Sequence, residues 1–475
     1  MRKLLICALA LGGFAASAQA ADLGLDSLKD PLPDTLTYKG VTIYGTIDVG
    51  YGYQTNGNAN SGALYTGQAY NIYGESITHG SNSALTNSAL SQSSIGVKVE
   101  EAVGLGFVAL GRIDTGFNPV SGEIADACQS LVRAANELIN KTTLTAFGDG
   151  SRCGQAINGE ALAGLSHSTY GTLTIGRQNS LELDTLAKYD PMGMSYSMSQ
   201  LGWSGFFGAG VGSTETARWD NSVKYVFQYG PAHAAVMYAD GGQDSSLHGN
   251  SIGANVGASY RGLSVDANYT NERGAVNAQL GVLTGADTNQ LWGFLTDNEA
   301  WSIQAKYVFE FGGGFKDEGP TSKLTVFGGY THTDQTDGGG TLGASFGTTI
   351  GGYIMYDNVN LLSTRTIETE WVGAKYETGP WSLTGAYYHT SQDAFSLANN
   401  HTKTAGGCAV NAFACSGDTS TVSGLVDYAF NKHFDVYAGV AYSDISGGLA
   451  HSSFSNDLYS ATDNTTVVTG MRLKF

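Results

Sequence analysis

Beyond its N-terminal segment, the sequence lacks any run of about 18 consecutive apolar residues, which excludes a helical membrane span. Charge is also scarce, because 14% of the residues are charged against about 25% in ordinary soluble domains. Prolines number 7, whereas 66 glycines and 26 tyrosines are present. This composition fits a β-barrel with a polar interior and an aromatic girdle. Secreted β-rich adhesins share part of it, so composition alone leaves both classes open.

Basic residues are few as well. The chain has 24 Lys and Arg residues against 42 Asp and Glu residues, which gives a formal charge of −18. Nucleic-acid binding requires clustered Lys and Arg, so this balance excludes a nucleic-acid partner. The acids fall mostly in expected loops, where solvation or repulsion of anions explains them.

The N-terminus has the order of segments found in exported proteins. Arg2 and Lys3 precede the apolar run Leu4–Phe14, and the small residues of Ala18-Gln19-Ala20 follow it. This order predicts a signal peptide over residues 1–20. The apolar run is too short to cross a bilayer as a helix, which needs about 20 residues.

The cysteines that follow this segment indicate an oxidising compartment. They form two local pairs, Cys128 with Cys153 and Cys408 with Cys415, each within one expected loop. We favour these two pairings as disulfides, although four cysteines allow three connectivities. A zinc site is a weaker alternative, because no His lies at ligand spacing beside either pair.

A period of two recurs along the chain. Apolar and polar residues alternate in the segments 41–54, 251–261, 263–270, 301–310 and 434–443. Alternate residues of a strand face opposite sides, so each segment has one apolar and one polar face. We count about sixteen such segments of roughly ten residues, the length that a tilted membrane strand needs.

The connections between these segments alternate in length. Short turns are expected near 102–104, 168–170, 230–232, 261–262, 378–380 and 431–433, and long polar loops at 56–90, 118–158 and 391–418. Short periplasmic turns and long external loops are typical of outer-membrane barrels, which must close because a sheet edge cannot face lipid. The sequence therefore predicts an all-β, transmembrane antiparallel barrel of about sixteen strands. One stretch, 125–139, looks helical, and we expect a disulfide-pinned cap on the second long loop.

Several motifs resemble the Gram-negative general porin family, and the resemblance covers nearly the whole chain after the predicted signal peptide, with the barrel domain at residues 38–475. They are VTIYGTIDVGYGYQ, SQSSIGVKVEEAVGLGFVALGRIDTGF, EALAGLSHSTYGTLTIGRQNS, DVYAGVAYSD and TTVVTGMRLKF. The resemblance implies a homotrimer of sixteen-stranded barrels in the outer membrane, each with its own pore for passive diffusion. Residues 21–37 would then be an N-terminal periplasmic extension. The terminal Phe475 resembles the signal that the outer-membrane insertion machinery recognises.

The family also implies that the third long loop, here 179–216, folds inward and narrows the pore. Acids on this loop would face arginines on the barrel wall, which sets up a transverse field in a wet constriction. The candidate acids are Glu182, Asp184 and Asp190, and the candidate arginines are Arg112, Arg177 and Arg218. The overall acidity favours a mild cation preference, which the arginines could reverse.

Two of these residues have an alternative interpretation. Arg177 shares strand parity with Leu173 and Ile175, which would point it to lipid unless a bulge near Gly176 redirects it. Asp190 precedes Pro191, so its carboxylate could only shape a turn. Many relatives carry an arginine on the second strand where this chain has Ser94-Ile95, so the basic cluster could be thinner here.

Three other functions compete with a general porin. A substrate-specific channel and an adhesin or receptor barrel use the same scaffold. An outer-membrane hydrolase would need a nucleophile and a base that converge, and only Ser166-His167-Ser168 suggests one. We therefore expect no catalytic residue, no metal and no cofactor, and lipid and lipopolysaccharide as surroundings. Strand-end aromatics expected in the membrane-interface girdle are Tyr53, Trp219, Trp301 and Trp381.

Overall fold

The computed structural model describes residues 35–56, 81–129, 147–149, 153–202, 217–241, 250–279, 290–312, 322–338, 348–350, 353–399, 416–447 and 462–475. Nearly all of the regular structure is β-sheet. The strands are β1 (Leu36–Tyr38), β2 (Val41–Gln54), β3 (Asn82–Asn87), β4 (Ser94–Gly104), β5 (Phe107–Gly116), β6 (Phe147–Asp149), β7 (Ala161–His167), β8 (Gly171–Asn179), β9 (Arg218–Tyr229), β10 (Ala232–Ala239) and β11 (Ser251–Tyr260).

The second half continues the same pattern. Its strands are β12 (Leu263–Gln279), β13 (Gln290–Phe311), β14 (Ser322–Asp337), β15 (Thr348–Ile350), β16 (Tyr353–Leu361), β17 (Arg365–Thr378), β18 (Trp381–Gln392), β19 (Leu397–Asn399), β20 (Gly417–Ala429), β21 (Phe434–Ile445) and β22 (Asp463–Lys474). Helix α1 (Leu181–Tyr189) and a short 3₁₀ helix (Gln200–Gly202) lie between β8 and β9.

Sixteen of the strands form one closed antiparallel barrel, which confirms the predicted fold. They are β2, β4, β5, β7 to β14, β17, β18 and β20 to β22. Each pairs with the next, and the last pairs with the first, from Thr46 opposite Lys474 to Gln54 opposite Thr466. Closure satisfies the backbone groups of every wall strand, as a hydrocarbon surrounding requires.

The two faces of the wall differ in polarity, as the alternation predicted. Outward residues such as Ile252, Val256 and Ile303 are about half exposed and form an apolar outer surface. Inward residues such as Asn268 and Ser302 are polar and buried against other groups inside the barrel. This is the reverse of a soluble domain, whose core is apolar and whose surface is polar.

Two-residue turns connect many of the strands at one end. Leu105-Gly106 and Arg261-Gly262 have positive φ at both positions (55° and 80°; 49° and 85°), the conformation that a tight hairpin requires and glycine favours. The first turn therefore lies one to two residues beyond the predicted 102–104.

Some pairing lies outside the sixteen-stranded wall. Strands β12 and β13 extend past it, where β6 pairs with β12 and β16 pairs with β13. At the other end, β1 forms a hairpin with the start of β2, with Leu36 opposite Ile43. The sheet thus begins two residues before the predicted barrel boundary at residue 38.

The second long loop is described in part. Cys128 and Cys153 are joined by a disulfide, with their Cα atoms 5.0 Å apart. The predicted helix 125–139 is described only to residue 129, and Cys408 and Cys415 lie outside the described residues, as does the predicted signal peptide. Among the described residues, no helix is long and apolar enough to cross a membrane.

Candidate functional site

The third loop enters the barrel as helix α1. Ser180 caps the helix, its hydroxyl accepting from the backbone N–H of Leu183 at 3.1 Å, and the acidic residues of the first turn suit the positive end of the helix dipole. One stripe of the helix packs on the inner wall of β11 to β14. The buried residues of this stripe are Leu181, Glu182, Thr185, Leu186 and Tyr189.

Glu182 faces the wall rather than the pore. Its Oε2 accepts from the Ser302 hydroxyl at 3.1 Å, Asn268 also hydrogen-bonds to it, and its side chain is 4% exposed. Burial raises the pKa of Glu182 to about 7, and the bonds from Ser302 and Asn268 act in the opposite direction. The prediction that Glu182 lines the pore was therefore wrong, because the helix turns this residue into the stripe that packs on the wall.

Asp184 is on the open side of the helix, but its charge is paired. The Lys224 ammonium lies 2.8 Å from its Oδ2 and also donates to the Asn179 carbonyl at 2.7 Å. Asn179 donates its side-chain amide to the same carboxylate at 3.2 Å. Lys224 was not among the predicted wall cations, although its parity on β9 places it inside the barrel.

Asp190 shapes the turn after the helix. Its carboxylate accepts from the backbone N–H groups of Met192 (3.1 Å) and Met194 (2.5 Å), from the Ser199 hydroxyl (2.5 Å) and from the Tyr388 hydroxyl. The side chain is 3% exposed, and burial raises its pKa against those hydrogen bonds. Of the two interpretations of Asp190, the turn is correct, and a pore-lining charge is not.

The wall itself bends inward to meet this loop. Between β3 and β4, residues 88–93 leave the strand, and the Ala89 carbonyl accepts from Ser197 N (3.0 Å), the Ser197 hydroxyl (2.8 Å) and the Ser195 hydroxyl (3.1 Å). The carboxylate of Asp48 holds this bend by accepting from the backbone N–H groups of Leu90 and Ser91. The bend was not predicted, although six mostly polar residues, SALSQS, interrupt the alternation there.

These contacts define the path of the loop. An apolar cluster joins its residues Leu186, Met192 and Met198 to wall residues on β17, β18, β21 and β22 and to Leu90. The described part of the loop thus follows the inner wall from β9 round to the bend at 88–93. The inner faces of β4, β5, β7 and β8 remain outside this cluster.

Arg112 lies on that remaining wall, at the lumen-facing parity that the sequence predicted. Its Nε is 2.7 Å from the Tyr44 hydroxyl and 3.0 Å from Asp114, and its Nη1 is 2.7 Å from Glu160. The side chain is 42% exposed, so the guanidinium is both paired and open to water. Tyr44 and Glu160 were not predicted site residues, and both follow from strand parity once the barrel is known.

Arg177 does sit at a bulge, because the β8–β9 register shifts between Gly176 and Gln178, and Gly176 has a φ of +133°. Its guanidinium donates to the carbonyls of Asn158 and Gly159 and pairs with Asp220 at 2.6 Å. These contacts tie the wall to the segment before β7.

Arg218, at the start of β9, lies opposite Asn179 in the register of β8 and β9. It is partly buried. The three predicted arginines therefore do not form one cluster: Arg112 lies on the open wall, Arg177 supports an external segment, and Arg218 stands where the loop leaves the wall.

Not all of the four aromatic residues predicted for the membrane-interface girdle lie there. Trp301 and Trp381 face outward and are 44% and 48% exposed, and Tyr53 has the outward parity of β2. Trp219 is 3% exposed and packs against Leu181 inside the barrel, so its assignment to the girdle was wrong. The residue lies at a strand end, as the prediction assumed, but it precedes a positive φ at Asn221 (49°), where the alternation of β9 is interrupted.

The Ser-His pair suggested for a hydrolase is split by the strand. Ser166 points inward, within hydrogen-bonding distance (2.8 Å) of the Thr172 hydroxyl, whereas His167 stacks outward on Phe107 and Tyr170. Adjacent strand residues face opposite sides, so this serine and this histidine cannot act together. In the described ranges, no three His, Cys, Asp or Glu side chains are grouped as metal ligands.

Phe475 completes the barrel. Its backbone exchanges two hydrogen bonds with Gly45, at 2.9 and 3.1 Å, just past the last residue of β22. Its ring occupies the space where a side chain at position 45 would lie. The terminal residue is therefore part of the seam between the first and last strands.

Comparison with known proteins agrees with this architecture. The model of the Gram-negative porin family matches residues 7–448. An outer membrane porin protein of Bordetella pertussis is 24% identical over 319 residues, which covers 65% of this chain and 67% of that protein.

Solved structures with the same fold include two outer-membrane proteins. An anion-selective porin from Comamonas acidovorans is 16% identical, with a TM-score of 0.54 over 92% of this chain and 99% of that one. An outer-membrane protein of Vibrio cholerae is 14% identical, with a TM-score of 0.53 over 93% of this chain and 100% of that one.

Proposed function

Because the chain belongs to the Gram-negative porin family and is a diffusion channel of the outer membrane, we propose that it works as a homotrimer of separate, size-limited pores. Ions and small hydrophilic solutes diffuse passively through each barrel, with no cofactor and no covalent chemistry. The third loop, 179–216, sets the size limit. The observation that carries the proposal is the loop docked along the inner wall, which leaves a passage beside β4, β5, β7 and β8.

The docking contacts favour a fixed constriction over a movable plug. Asp190 gathers four donors, Ala89 accepts three hydrogen bonds, and the Trp371 indole donates to the Tyr189 carbonyl at 3.0 Å. Buried polar groups that are satisfied on both sides hold a loop in one position, because releasing them leaves several donors and acceptors unpaired. A loop held in this way gives a constant pore size.

The outer surface supports the trimer. On β4, β5, β7 and β8 the outward residues between the strand ends are aliphatic or small, such as Ile95, Ile113 and Ile175. On β12 to β18 the outward surface carries the large aromatics that anchor a barrel at the membrane interfaces. These aromatics include Tyr269, Trp301, Tyr307, Phe309, Trp381 and Tyr387. The aliphatic side is therefore the one that packs against neighbouring copies, and the aromatic side faces lipid and lipopolysaccharide.

Liposome swelling tests the pore. Vesicles that contain the purified protein should swell in small sugars, at a rate that falls steeply with sugar size. Deleting part of the loop between 191 and 201 should raise the size limit. Swelling with the same size limit in the deletion variant would show that another element forms the constriction.

Crosslinking tests the assembly. A cysteine introduced at Ile175, on the aliphatic side, should crosslink to a second copy through a short bismaleimide. A cysteine at Val372, which is 53% exposed on the other side of the barrel, is the matched control and should not. Equal crosslinking at both positions, or at Val372 alone, would contradict the assigned interface.

A further inference from the structure

The loop carries fewer free negative charges than its sequence suggests. Its described part, residues 179–202, contains four charged residues: Glu182, Asp184, Lys188 and Asp190. Glu182 and Asp190 are 4% and 3% exposed, so neither carboxylate meets the water of the pore. Asp184 is neutralised by Lys224 at 2.8 Å. In this described part of the loop, the charge that is both exposed and unpaired is that of Lys188.

Lys188 projects from the face of α1 that does not pack on the wall. It is exposed, and among the described residues no carboxylate oxygen lies within 4.0 Å of its ammonium. Asp184 precedes it by one helical turn, the spacing at which an acid and a lysine attract each other. Here that carboxylate already accepts from Lys224 and Asn179, so its attraction for Lys188 is reduced.

A second ammonium lies beside the first. Lys306, on the inner face of β13, donates from Nζ to the Lys188 carbonyl at 2.9 Å and sits 5.3 Å from the ring centroid of Tyr189. This carbonyl belongs to the last turn of α1, where the helix dipole favours a positive charge. The nearby carboxylate of Asp266 is shared among Tyr189, His233 and Asn255. The last turn of the helix therefore presents two positive charges together.

We propose that Lys188, supported by Lys306, makes the passage favour small anions over cations. The proposal rests on the proposed function and names its preferred solutes. Only charges close to a passing ion bias it strongly, because the Debye length is about 8 Å in physiological salt. The acids that give the chain its charge of −18 act on this passage only where they lie within that distance. The preference is thus the reverse of the one that overall acidity predicts.

The wall across the passage does not cancel this preference. Arg112 pairs with both Asp114 and Glu160, which leaves one net negative charge there, and Lys98 lies 3.5 Å from Glu100. Against that one negative charge stand the two ammonium groups of Lys188 and Lys306, which have no carboxylate oxygen within 4.0 Å among the described residues. The imbalance at the constriction is positive.

Reversal potentials in a potassium chloride gradient test the proposal. Wild-type channels should show a chloride preference, Lys188→Gln should lower the chloride-to-potassium permeability ratio about two- to five-fold, and Lys188→Glu should lower it further. A Lys432→Gln variant makes the same charge change at a periplasmic turn and is the matched control. It should keep the wild-type ratio.

Each outcome bears on one claim. Open channels that prefer potassium, or a ratio that Lys188→Gln leaves unchanged, would overturn the anion preference while the diffusion pore stands. A ratio that falls equally in Lys432→Gln would also overturn it, since net charge rather than position would then decide. Folded protein without any conductance would instead refute the proposed function. Retained single-channel conductance in each variant shows that the barrel has assembled.

Discussion

Ser302 donates a hydrogen bond to Glu182 across the boundary between the loop helix and the barrel wall, with 3.1 Å between the two oxygens. Among the described residues, no cationic group lies within 4.0 Å of the glutamate carboxylate, and burial raises its pKa from 4.5 to about 7. The folded state therefore binds the proton more tightly than the unfolded chain. The protonated contact contributes its full stability below pH 4.5 and loses it as the pH rises through 7.

Glu182→Gln should remove this dependence, because glutamine keeps the shape and the hydrogen bonds without the charge. Thermal denaturation of the barrel in detergent, followed by circular dichroism from pH 5 to 8, measures the effect. The wild type should lose stability over this range more steeply than the variant. Glu100→Gln, which changes an exposed carboxylate, should follow the wild type, and a Glu182→Gln profile that also follows it would contradict the assignment.

Asp190→Ala should loosen the loop, because four donors lose their acceptor and each buried donor left unpaired costs about 1–3 kcal/mol. Single-channel recordings should show larger and noisier conductance. Tyr388→Phe removes one of the four donors and should produce a smaller change in the same direction. Quiet channels of wild-type size in Asp190→Ala would mean that the turn is held by other contacts.

Gly45→Ala should impair closure of the barrel. A Cβ at this position would lie 2.6 Å from the Phe475 ring and 2.7 Å from the Ser94 carbonyl, and such overpacking costs about 1–3 kcal/mol. The fraction of folded, heat-modifiable protein in the outer membrane should fall. Gly424→Ala is the control, because a Cβ there meets nothing within 4 Å. Equal yields of the two variants would count against the role of this seam.

Arg112→Gln should shift ion selectivity towards cations, because it leaves Asp114 and Glu160 uncompensated on the open wall. We expect a change in the permeability ratio of about two- to five-fold, as for one partly screened charge. Arg112→Lys keeps the charge and should keep most of the selectivity while it loses the paired geometry. If both variants match the wild type in reversal potential, the passage does not run beside this wall.

The barrel could be predicted from the sequence because its signal is local. Alternation within each strand and a turn such as Arg261-Gly262 depend on neighbouring residues alone. The even number of strands and closure then follow from the cost of an unpaired edge in lipid. The lumen parity of Arg112 and the bulge that redirects Arg177 follow from the same rule.

The orientation of the loop acids could not be read in this way, because it depends on which side of α1 meets the wall. Leu181, Thr185, Leu186 and Tyr189 form a stripe at helical spacing, and Glu182 falls in the middle of that stripe. This signal was present in the sequence. Glu182 was predicted at the constriction because it is acidic. Its position along the helix instead places it on the buried face.

The inward bend at 88–93 was beyond prediction for another reason. It is stabilised by contacts from Ser195 and Ser197, about a hundred residues later in the chain, and from Asp48 on the first strand. The polar run SALSQS marks where the alternation stops, but no local pattern encodes the inward direction of a bend whose partners are distant in sequence. The burial of Trp219 could not be predicted for the same reason, because it depends on Leu181 in the docked helix.

Conductance of the purified protein in a planar lipid bilayer tests the central claim most directly. An open trimeric porin with a fixed constriction predicts stable steps that occur in groups of three, with little gating at low voltage. Folded, membrane-inserted protein that produces no steps would contradict the claim and leave a closed or adhesive barrel.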